Sequence, residues 1–363
     1  MALPRRTVHV ALGERSYPID IGTGNLPEAG RFLKTRRPVS HAVIITDANV
    51  ENRHALGVAD SLSDVDVTVD LLVVDPGEAT KCAEVLEGLW DKLLDLGADR
   101  RTVVVAVGGG VIGDLAGFVA ASFARGLSLL QVPTTLLAQV DSSVGGKVGI
   151  NLEGAKNMVG AFWQPIGVVI DTAVLDTLPL REYRAGLAEV VKYGVILDAE
   201  FFTYLEEHTA QLNARDAEVL RYVVARSCEL KAQVVSRDER EETGLRAVLN
   251  YGHTFCHAFE TLTNYNTLLH GEGVSIGMMC AARLAERLGR VDDAFVVRQQ
   301  NLLTALNLTT TVPSLDAEEV LRVMARDKKV EHGKLRFVLP TKMGHVELVG
   351  NVPPDDVRAA LVD

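Results

Sequence analysis

Up to about Pro179, short β-branched runs alternate with helical or glycine-rich segments; beyond it the chain reads as long helical patterns. The runs occupy residues 42–46, 68–74, 102–107, 127–132 and 168–171, and this alternation is the signature of an α/β domain. Between the second and third runs, residues 81–96 carry Val85, Leu86, Leu89, Trp90, Leu93 and Leu94 at helical spacing before Gly97 ends the pattern, which predicts a crossover helix. Past Pro179 the spacing predicts helices over 181–194, 215–237, 245–263, 271–289 and 293–306, with a short strand pair near 335–348. We therefore expect two domains, an α/β domain over 1–179 and a mainly α-helical domain over 180–363. A chain of 363 residues exceeds what one ordinary core holds, so this division is also expected from size.

Charge narrows the partners. Lys and Arg number 37 against 48 Asp and Glu, so the net charge of -11 argues against a nucleic-acid or anionic-membrane surface, and an anionic substrate must be met by a local basic cluster. The cysteines, Cys82, Cys228, Cys256 and Cys280, show no CxxC pair and no even spacing, which argues against a disulfide framework or a structural zinc knot and fits a reducing cytoplasm. The N-terminus lacks an apolar signal core and no apolar run approaches the ~18 residues of a membrane span, so a soluble cytoplasmic protein is expected.

Several segments concentrate chemistry. Thr102-Val-Val-Val-Ala-Val-Gly-Gly-Gly110-Val111-Ile112-Gly113-Asp114 reads as a buried strand, a glycine turn and a helix start. Glycines there let backbone amides approach a pyrophosphate, although such a turn also serves as a mere connection. Asp47, at the end of an earlier strand, suits a ribose or a helix cap. The stretch from Gln131 to Lys147 holds Thr134, Thr135, Asp141 and Lys147 beside a second glycine turn, and Lys156-Asn157 offers a cation and an amide. For either lysine alone the plain alternative is a solvated surface charge. In Gly186-Leu-Ala-Glu189-Val-Val-Lys192, Glu189 and Lys192 share a helical face amid apolar residues; a buried Glu189 would need a cation. Lys231, Arg246 and Asp327-Lys328-Lys329 add charges that could converge on one cleft.

Three histidines fall close together: His253 and His257 in Asn250-Tyr-Gly-His-Thr-Phe-Cys-His257, then His270. If Asn250–Thr263 is helical, the first two lie one turn apart, and the Asn264-Tyr-Asn266 break lets His270 return from a second helix. Imidazoles so placed suit half of a zinc-type site completed by a carboxylate, or equally a hydrogen-bonded pair with no metal.

Taken together these segments closely resemble the 3-dehydroquinate synthase family. The match runs from about Asp47 to Pro340 and is carried by Pro76-Gly-Glu78-Ala-Thr-Lys81, Gly-Gly-Gly-Val-Ile-Gly-Asp114, Arg125-Gly, the Pro133-to-Lys147 segment, Lys156-Asn157, Gly-Leu-Ala-Glu-Val-Val-Lys192-Tyr-Gly, Asn250-Tyr-Gly-His253-Thr-Phe-Cys-His257 and His270-Gly-Glu. The resemblance implies a Rossmann-like first domain, a tightly held NAD, and Zn2+ or Co2+ on Glu189, His253 and His270. It implies cofactor contacts at Asp47, Glu78, Lys81, Gly110, Val111, Ile112, Gly113, Asp114, Thr134, Thr135, Asp141, Lys147, Lys156, Leu175 and Thr177, with metal and nicotinamide facing each other across the interdomain cleft. The implied substrate is 3-deoxy-D-arabino-heptulosonate 7-phosphate, a sugar phosphate. Arg246 and Lys231 are expected at its carboxylate; Asn157, Asn250, His257 and Lys328 or Lys329 at its phosphate. Arg125 is expected to enter from the other subunit of a homodimer. Lys147, Lys192 and His257 complete the candidate catalytic set, with Lys147 and His257 as electrostatic and proton-handling groups.

Two departures from the family pattern stand out: Cys256 where Gly is usual, and Gly273 where Ala is usual. Neither position carries a ligand, so altered packing with unchanged chemistry is expected, and Glu189 leaves no need for Cys256 as an extra ligand. The rival sugar-phosphate cyclases of the valiolone type tend to replace the Asn and second His of Asn-x-Gly-His-Thr-x-x-His by Asp and Pro; Asn250, His257, Arg246 and Lys231 favour a carboxylated substrate here. A polyol dehydrogenase would be expected to carry Gly-Gly-Gly-Ser at the first turn, and a non-catalytic NAD-binding module would have no need of the intact ligand set.

Overall fold

The computed structural model describes residues 5–153, 155–263, 267–325 and 335–362; Asn264–Asn266 and Asp327, Lys328 and Lys329 lie outside the described residues. The N-terminal half contains β1 (Arg6–Val10), β2 (Tyr17–Gly22), β3 (His41–Asp47), β4 (Thr68–Val74), β5 (Val103–Gly108), β6 (Ser128–Pro133), β7 (Lys147–Leu152), β8 (Ala155–Phe162) and β9 (Gly167–Asp171). Its longer helices are α1 (Ala29–Arg36), α2 (Leu56–Ser63), α3 (Ala83–Asp95) and α4 (Gly110–Ser122). Among the described residues, seven strands form one sheet in the order β1-β2-β9-β6-β5-β3-β4, antiparallel only between β1 and β2, while β7 and β8 make a separate antiparallel hairpin. The five expected strands are present as β3, β4, β5, β6 and β9, and the expected crossover helix is α3.

The alternation of side chains along β5 shows why a continuous valine run is a buried parallel strand. Val104 and Ala106 pack with Leu86, Leu89, Leu115 and Val119 on one face; Val103, Val105 and Val107 pack with Leu33, Val58 and Leu62 on the other. Each fully buried side chain of this size contributes about 1.5–3 kcal/mol. Strand order matters more for function. From β3 the chain crosses to β4 on one side, whereas β5, β6 and β9 are laid down on the other, so the carboxyl ends of β3 and β5 flank the point where the order reverses. In open α/β sheets that point is where ligands bind.

The remaining elements are α5 (Leu180–Leu197), α6 (Ala199–Glu207), α7 (Thr209–Asn213), α8 (Ala217–Arg237), α9 (His253–Leu262), α10 (His270–Arg287), α11 (Asp293–Ala305), α12 (Ala317–Met324), β10 (Arg336–Lys342), β11 (His345–Gly350) and α13 (Pro354–Ala359). The chain forms two compact units, Met1–Leu178 with Leu220–Arg240, and Pro179–Val219 with Glu241–Asp363. Within the second, the expectation of one helix over 245–263 needs correction. A short 3-10 helix, Leu245–Asn250, precedes a break at Tyr251-Gly252, and α9 begins at His253. Gly252 adopts φ +79, and a Cβ on it would lie 2.8 Å from the Met278 nitrogen of α10. Gly277 is its counterpart, since a Cβ there would overlap the Gly252 carbonyl oxygen. The break is thus the price of seating the start of α9 directly on α10.

Candidate metal centre and nucleotide-binding site

In the first unit the glycine turn joins β5 to α4. A Cβ on Gly108 would lie 2.6 Å from Ile112 Cβ, and one on Gly109 would lie 3.0 Å from a Thr135 methyl, so small residues let the strand enter the helix within so short a span. Gly110, Val111 and Ile112 form the first turn of α4, where backbone N–H groups have no intrahelical acceptor and the helix dipole is positive. Gly113 N–H already donates to Gly109 O at 3.0 Å. Beside this turn the hydroxyls of Thr46, on β3, and Thr134, just after β6, are buried without a hydrogen-bond partner. An unsatisfied buried polar group costs about 1–3 kcal/mol, so these positions suit a polar ligand. Asp47 Oδ1 accepts the Asn49 N–H at 2.9 Å in a local turn, and it is not the N-cap of the next helix, Glu51–Ala55, which is Val50; burial raises the Asp47 carboxyl above the usual range.

A polar cluster extends from α4. Lys81 Nζ, almost fully buried, donates to Asp114 Oδ2 at 2.7 Å and to Asn157 Oδ1 at 2.5 Å, with Glu78 at 3.9 Å. Burial raises the Asp114 pKa and Lys81 opposes the rise. Asn151 ties the cluster to the β7–β8 hairpin: its amide donates to Glu78 Oε1 and its Oδ1 accepts from the Asn157 backbone, both at 2.8 Å. Lys231 on α8 meets Asp141 twice, at the carboxylate (2.8 Å) and at the backbone oxygen (2.7 Å). Thr135 Oγ1 accepts the Ala138 N–H at 3.1 Å. Lys147 and Arg125 are exposed, Lys156 is half-buried, and Leu175 is buried in the 3-10 segment Thr172–Thr177, where Thr177 Oγ1 contacts His54 Nε2 at 2.8 Å. Asn151 and His54 were not singled out in the sequence; an Asn in a Gly-rich strand and a His in a helix carry no distinguishing spacing.

In the second unit Glu189, His253 and His270 converge from α5, α9 and α10. Close helix contact makes this possible. A Cβ on Gly271 would overlap the Ala185 carbonyl oxygen, so glycine beside His270 lets α10 lie against α5 one turn before Glu189. Arg181 of α5 clamps the same end, with Nε and Nη2 each 2.7 Å from a Glu272 oxygen and Nη2 2.8 Å from Thr267 O, while Glu272 caps the Leu269 N–H. Cys256 and Gly273, the two departures, touch: a Cβ on Gly273 would lie 2.7 Å from Cys256 Sγ. The volume added on α9 is removed from α10.

Glu189 is fully buried and Lys192, 1% exposed, is its ion-pair partner. Yet neither Glu189 oxygen has a hydrogen bond of acceptable geometry. Its Oε1 stands 3.5 Å from the Nε2 atoms of both His253 and His270. Tetrahedral zinc with bonds of about 2.0–2.1 Å separates its ligand atoms by about 3.3–3.4 Å, close to this spacing. The His253 Nδ1–H donates to Tyr251 O at 3.1 Å, so Nε2 is the unprotonated nitrogen, and it faces Glu189. These three residues therefore fit a divalent cation. Burial by itself lowers the His270 pKa, but Cys256, Glu189 and Glu260 outweigh it and hold the imidazole well above its ordinary value. Cys256 does not face this point: its Sγ lies 3.9 Å from His270 Nδ1 and its thiol, pushed up to about 11 by burial, donates to His270 O at 3.6 Å. His257 is half-buried, with its ring 5.7 Å from that of His253 and outside the ligand group. Arg246, almost fully buried, lies 3.6 Å from Glu241, and Asn250 ends the 3-10 helix, half-buried.

Family models for the N-terminal and C-terminal parts of 3-dehydroquinate synthase match residues 71–185 and 186–330. The 3-dehydroquinate synthase of Rhodopirellula baltica is 51% identical over 368 positions, covering 100% of this chain and 98% of that protein. Among solved structures, 2-epi-5-epi-valiolone synthase from Streptomyces hygroscopicus with NAD+ and Zn2+ bound aligns with a TM-score of 0.88 at 29% identity, over 97% of each chain. A 2-deoxy-scyllo-inosose synthase complexed with carbaglucose-6-phosphate, NAD+ and Co2+ aligns with a TM-score of 0.87 at 26% identity, covering 98% of this chain and 99% of that one.

Proposed function

The chain belongs to the 3-dehydroquinate synthase family, and from that membership we infer that it converts 3-deoxy-D-arabino-heptulosonate 7-phosphate to 3-dehydroquinate and inorganic phosphate. It is an NAD- and metal-dependent lyase whose cofactors are NAD and Zn2+ or Co2+. The observation that carries the reading is the fully buried Glu189 carboxylate with the Nε2 atoms of two imidazoles 3.5 Å from one of its oxygens, three ligand atoms spaced as a divalent cation requires. When bound, NAD+ reversibly accepts a hydride and the cation acidifies the hydroxyl it holds. The overall change is redox-neutral: transient oxidation at C5 acidifies the neighbouring C–H, phosphate leaves by β-elimination, the hydroxyl is restored by return of the hydride, the hemiketal C–O bond of the sugar ring breaks to free a ketone, and an intramolecular aldol onto that ketone closes the carbocycle.

The roles of individual residues extend that reading. Glu189, His253 and His270 hold the cation, and Lys192 balances the Glu189 charge. The first-turn amides Gly110 to Ile112, with Gly113 and Asp114 behind them, cradle the pyrophosphate. Thr134 and Thr135 offer hydroxyls, and Asp47 accepts from a ribose. Glu78, Lys81, Asp141, Lys147, Lys156, Leu175 and Thr177 line the same cofactor. Arg246 and Lys231 attract the substrate carboxylate; Asn157, Asn250 and His257 receive its phosphate, and Lys147 and His257 shift charge and protons as it departs. Retention of Asn250 and His257 supports this substrate over the valiolone-type alternative. The functional division follows the sequence, with NAD held by 1–179 and the cation by 180–363. From the family resemblance we also infer a homodimer in which Arg125 of the partner subunit completes the site; Arg125 is exposed on its own chain. No helix among the described residues is long and apolar enough to cross a membrane, and the free cysteines support a cytoplasmic location.

Chelation tests the reading at its metal. Removing the cation should abolish phosphate release, and added Co2+ or Zn2+ should restore it in the wild type but not in Glu189→Ala. Full phosphate release from a metal-free Glu189→Ala protein would overturn the assignment.

A further inference from the structure

A second group of potential ligands, Cys256, Glu260 and His270, lies beside the first and shares a histidine with it. The two groups use different edges of the His270 ring. Nε2 faces Glu189 Oε1 at 3.5 Å, while Nδ1 lies 3.3 Å from Glu260 Oε1 and 3.9 Å from Cys256 Sγ. The nitrogens of one imidazole diverge, so the two groups cannot serve one ion. A neutral imidazole that gives its Nε2 lone pair to a cation must carry its proton on Nδ1, and that proton needs an acceptor. Of the two neighbours the carboxylate is nearer and better suited, because the Cys256 thiol already points its hydrogen at His270 O.

We propose that Glu260 is a positioning residue of the metal centre: its carboxylate accepts the Nδ1–H of His270, which fixes the tautomer and holds Nε2 bare and aimed at Glu189. Within the second group Glu260 then orients His270 for the first, and the group is not a second metal site. The sequence explains how Glu260 gets there. It stands seven residues after His253 in α9, on the same helical face as His253, Cys256 and His257, and it is 4% exposed where a helix-surface glutamate would be solvated. His253 obtains the equivalent service from a backbone oxygen, that of Tyr251, because the break at Gly252 turns that carbonyl toward its ring. Each histidine thus has one nitrogen occupied by an acceptor and the other facing the same carboxylate.

The inference rests on the metal reading above, and its test separates the two. Co2+ dissociation constants are measured by competition with a chelator for the wild type, Glu260→Ala, Glu260→Gln and Cys256→Ala, together with metal content per chain, the cobalt visible spectrum and the NAD+ dissociation constant. Loss of an orienting partner of this kind weakens metal binding about 10–100-fold, which is the loss expected for Glu260→Ala with NAD+ binding unchanged. Glu260→Gln keeps an acceptor oxygen and should recover part of the loss, and Cys256→Ala should bind Co2+ like the wild type. Should Glu260→Ala fail to fold, Glu260→Met against Glu260→Gln carries the same comparison, with Gln binding more tightly. Wild-type affinity in the variants lacking an acceptor, a second Co2+ per chain, or a thiolate-to-cobalt charge-transfer band lost in Cys256→Ala would overturn the proposal while leaving the Glu189 site intact. A wild type that bound no Co2+ at all would overturn the metal reading and this inference with it.

Discussion

The contact between Cys256 and Gly273 gives a signed prediction. Replacing Gly273 by Ala puts a Cβ 2.7 Å from Cys256 Sγ, whereas non-bonded carbon contacts settle at about 3.5–4.0 Å, so something must move by about 1 Å. Cys256 is fully buried and its side chain has a single torsion, which leaves little room to yield. Overpacking of this sort costs about 1–3 kcal/mol. Ala in place of Gly inside α10 returns about 0.8–1.0 kcal/mol of helix propensity, so Gly273→Ala alone should destabilise by about 0–2 kcal/mol. In a Cys256→Ala background the sulfur is gone, and the remaining Cβ of residue 256 lies 3.7 Å from the new methyl, an ordinary contact. There the same substitution should stabilise by about 1 kcal/mol, giving a coupling of about 1–3 kcal/mol between the two positions. Denaturant titrations of the wild type, both single variants and the double variant, all saturated with NAD+ and Co2+, close the cycle. The Co2+ affinity of Cys256→Ala and of the double variant should match the wild type. A coupling below about 0.5 kcal/mol, the usual scatter for independent sites, would refute the compensation argument.

Gly271→Ala must push α10 away from the Ala185 carbonyl, and because His270 is the adjacent residue, Co2+ affinity should fall at least about 10-fold alongside a stability loss of ~1–3 kcal/mol; unchanged Co2+ titrations would mean that the helix contact does not set the ligand spacing. Proton and cation compete for His270, whose pKa burial lowers but Cys256, Glu189 and Glu260 raise further, so Co2+ affinity should fall as pH drops, beginning above the ordinary histidine value of about 6.5. Titrations at a series of pH values check this, and pH-independent binding would contradict it. Lys81→Met should leave Asp114 without its cation at a cost of about 3 kcal/mol and weaken NAD+ binding, as read by denaturation and by fluorescence titration; if NAD+ affinity were unchanged, the Lys81 cluster would not belong to the cofactor site.

Legibility in the sequence followed burial on both faces. β3, β5, β6 and β9 are largely apolar runs because helices cover both sides of the sheet, and such runs survive without an alignment, whereas β4, at the sheet edge and mostly half-buried, was legible from its β-branched and apolar residues. β2 was missed because Pro18 and Asp20 interrupt its apolar pattern, although all of it is buried. β7 and β8 were read as a glycine turn followed by a cation and an amide, since β7 is buried only at its centre and β8 is largely exposed, so neither shows a clear periodicity. The helix over 245–263 was overextended because a Tyr-Gly break inside a helical pattern looks tolerable until α10 is known to lie against it. The approach of His270 to His253 was legible from spacing, whereas Glu189 entered as their carboxylate partner only through the family resemblance. Glu260 was not legible: seven residues from His253 it resembles a solvated helix glutamate, and only the return of α10 over α9 buries it. The pairing of the Cys256 and Gly273 departures likewise needs the third dimension, because each alone reads as a tolerated change.

The central claim, a redox-neutral phosphate elimination that recycles its nicotinamide, is tested most directly by incubating the purified protein, loaded with Co2+ or Zn2+, with 3-deoxy-D-arabino-heptulosonate 7-phosphate and a catalytic amount of NAD+. Phosphate and 3-dehydroquinate should appear together in equal amounts and in many-fold excess over the NAD+ supplied, with no lasting rise in NADH absorbance. NADH accumulating in step with substrate consumed, or no phosphate released from the metal-loaded protein, would contradict the account.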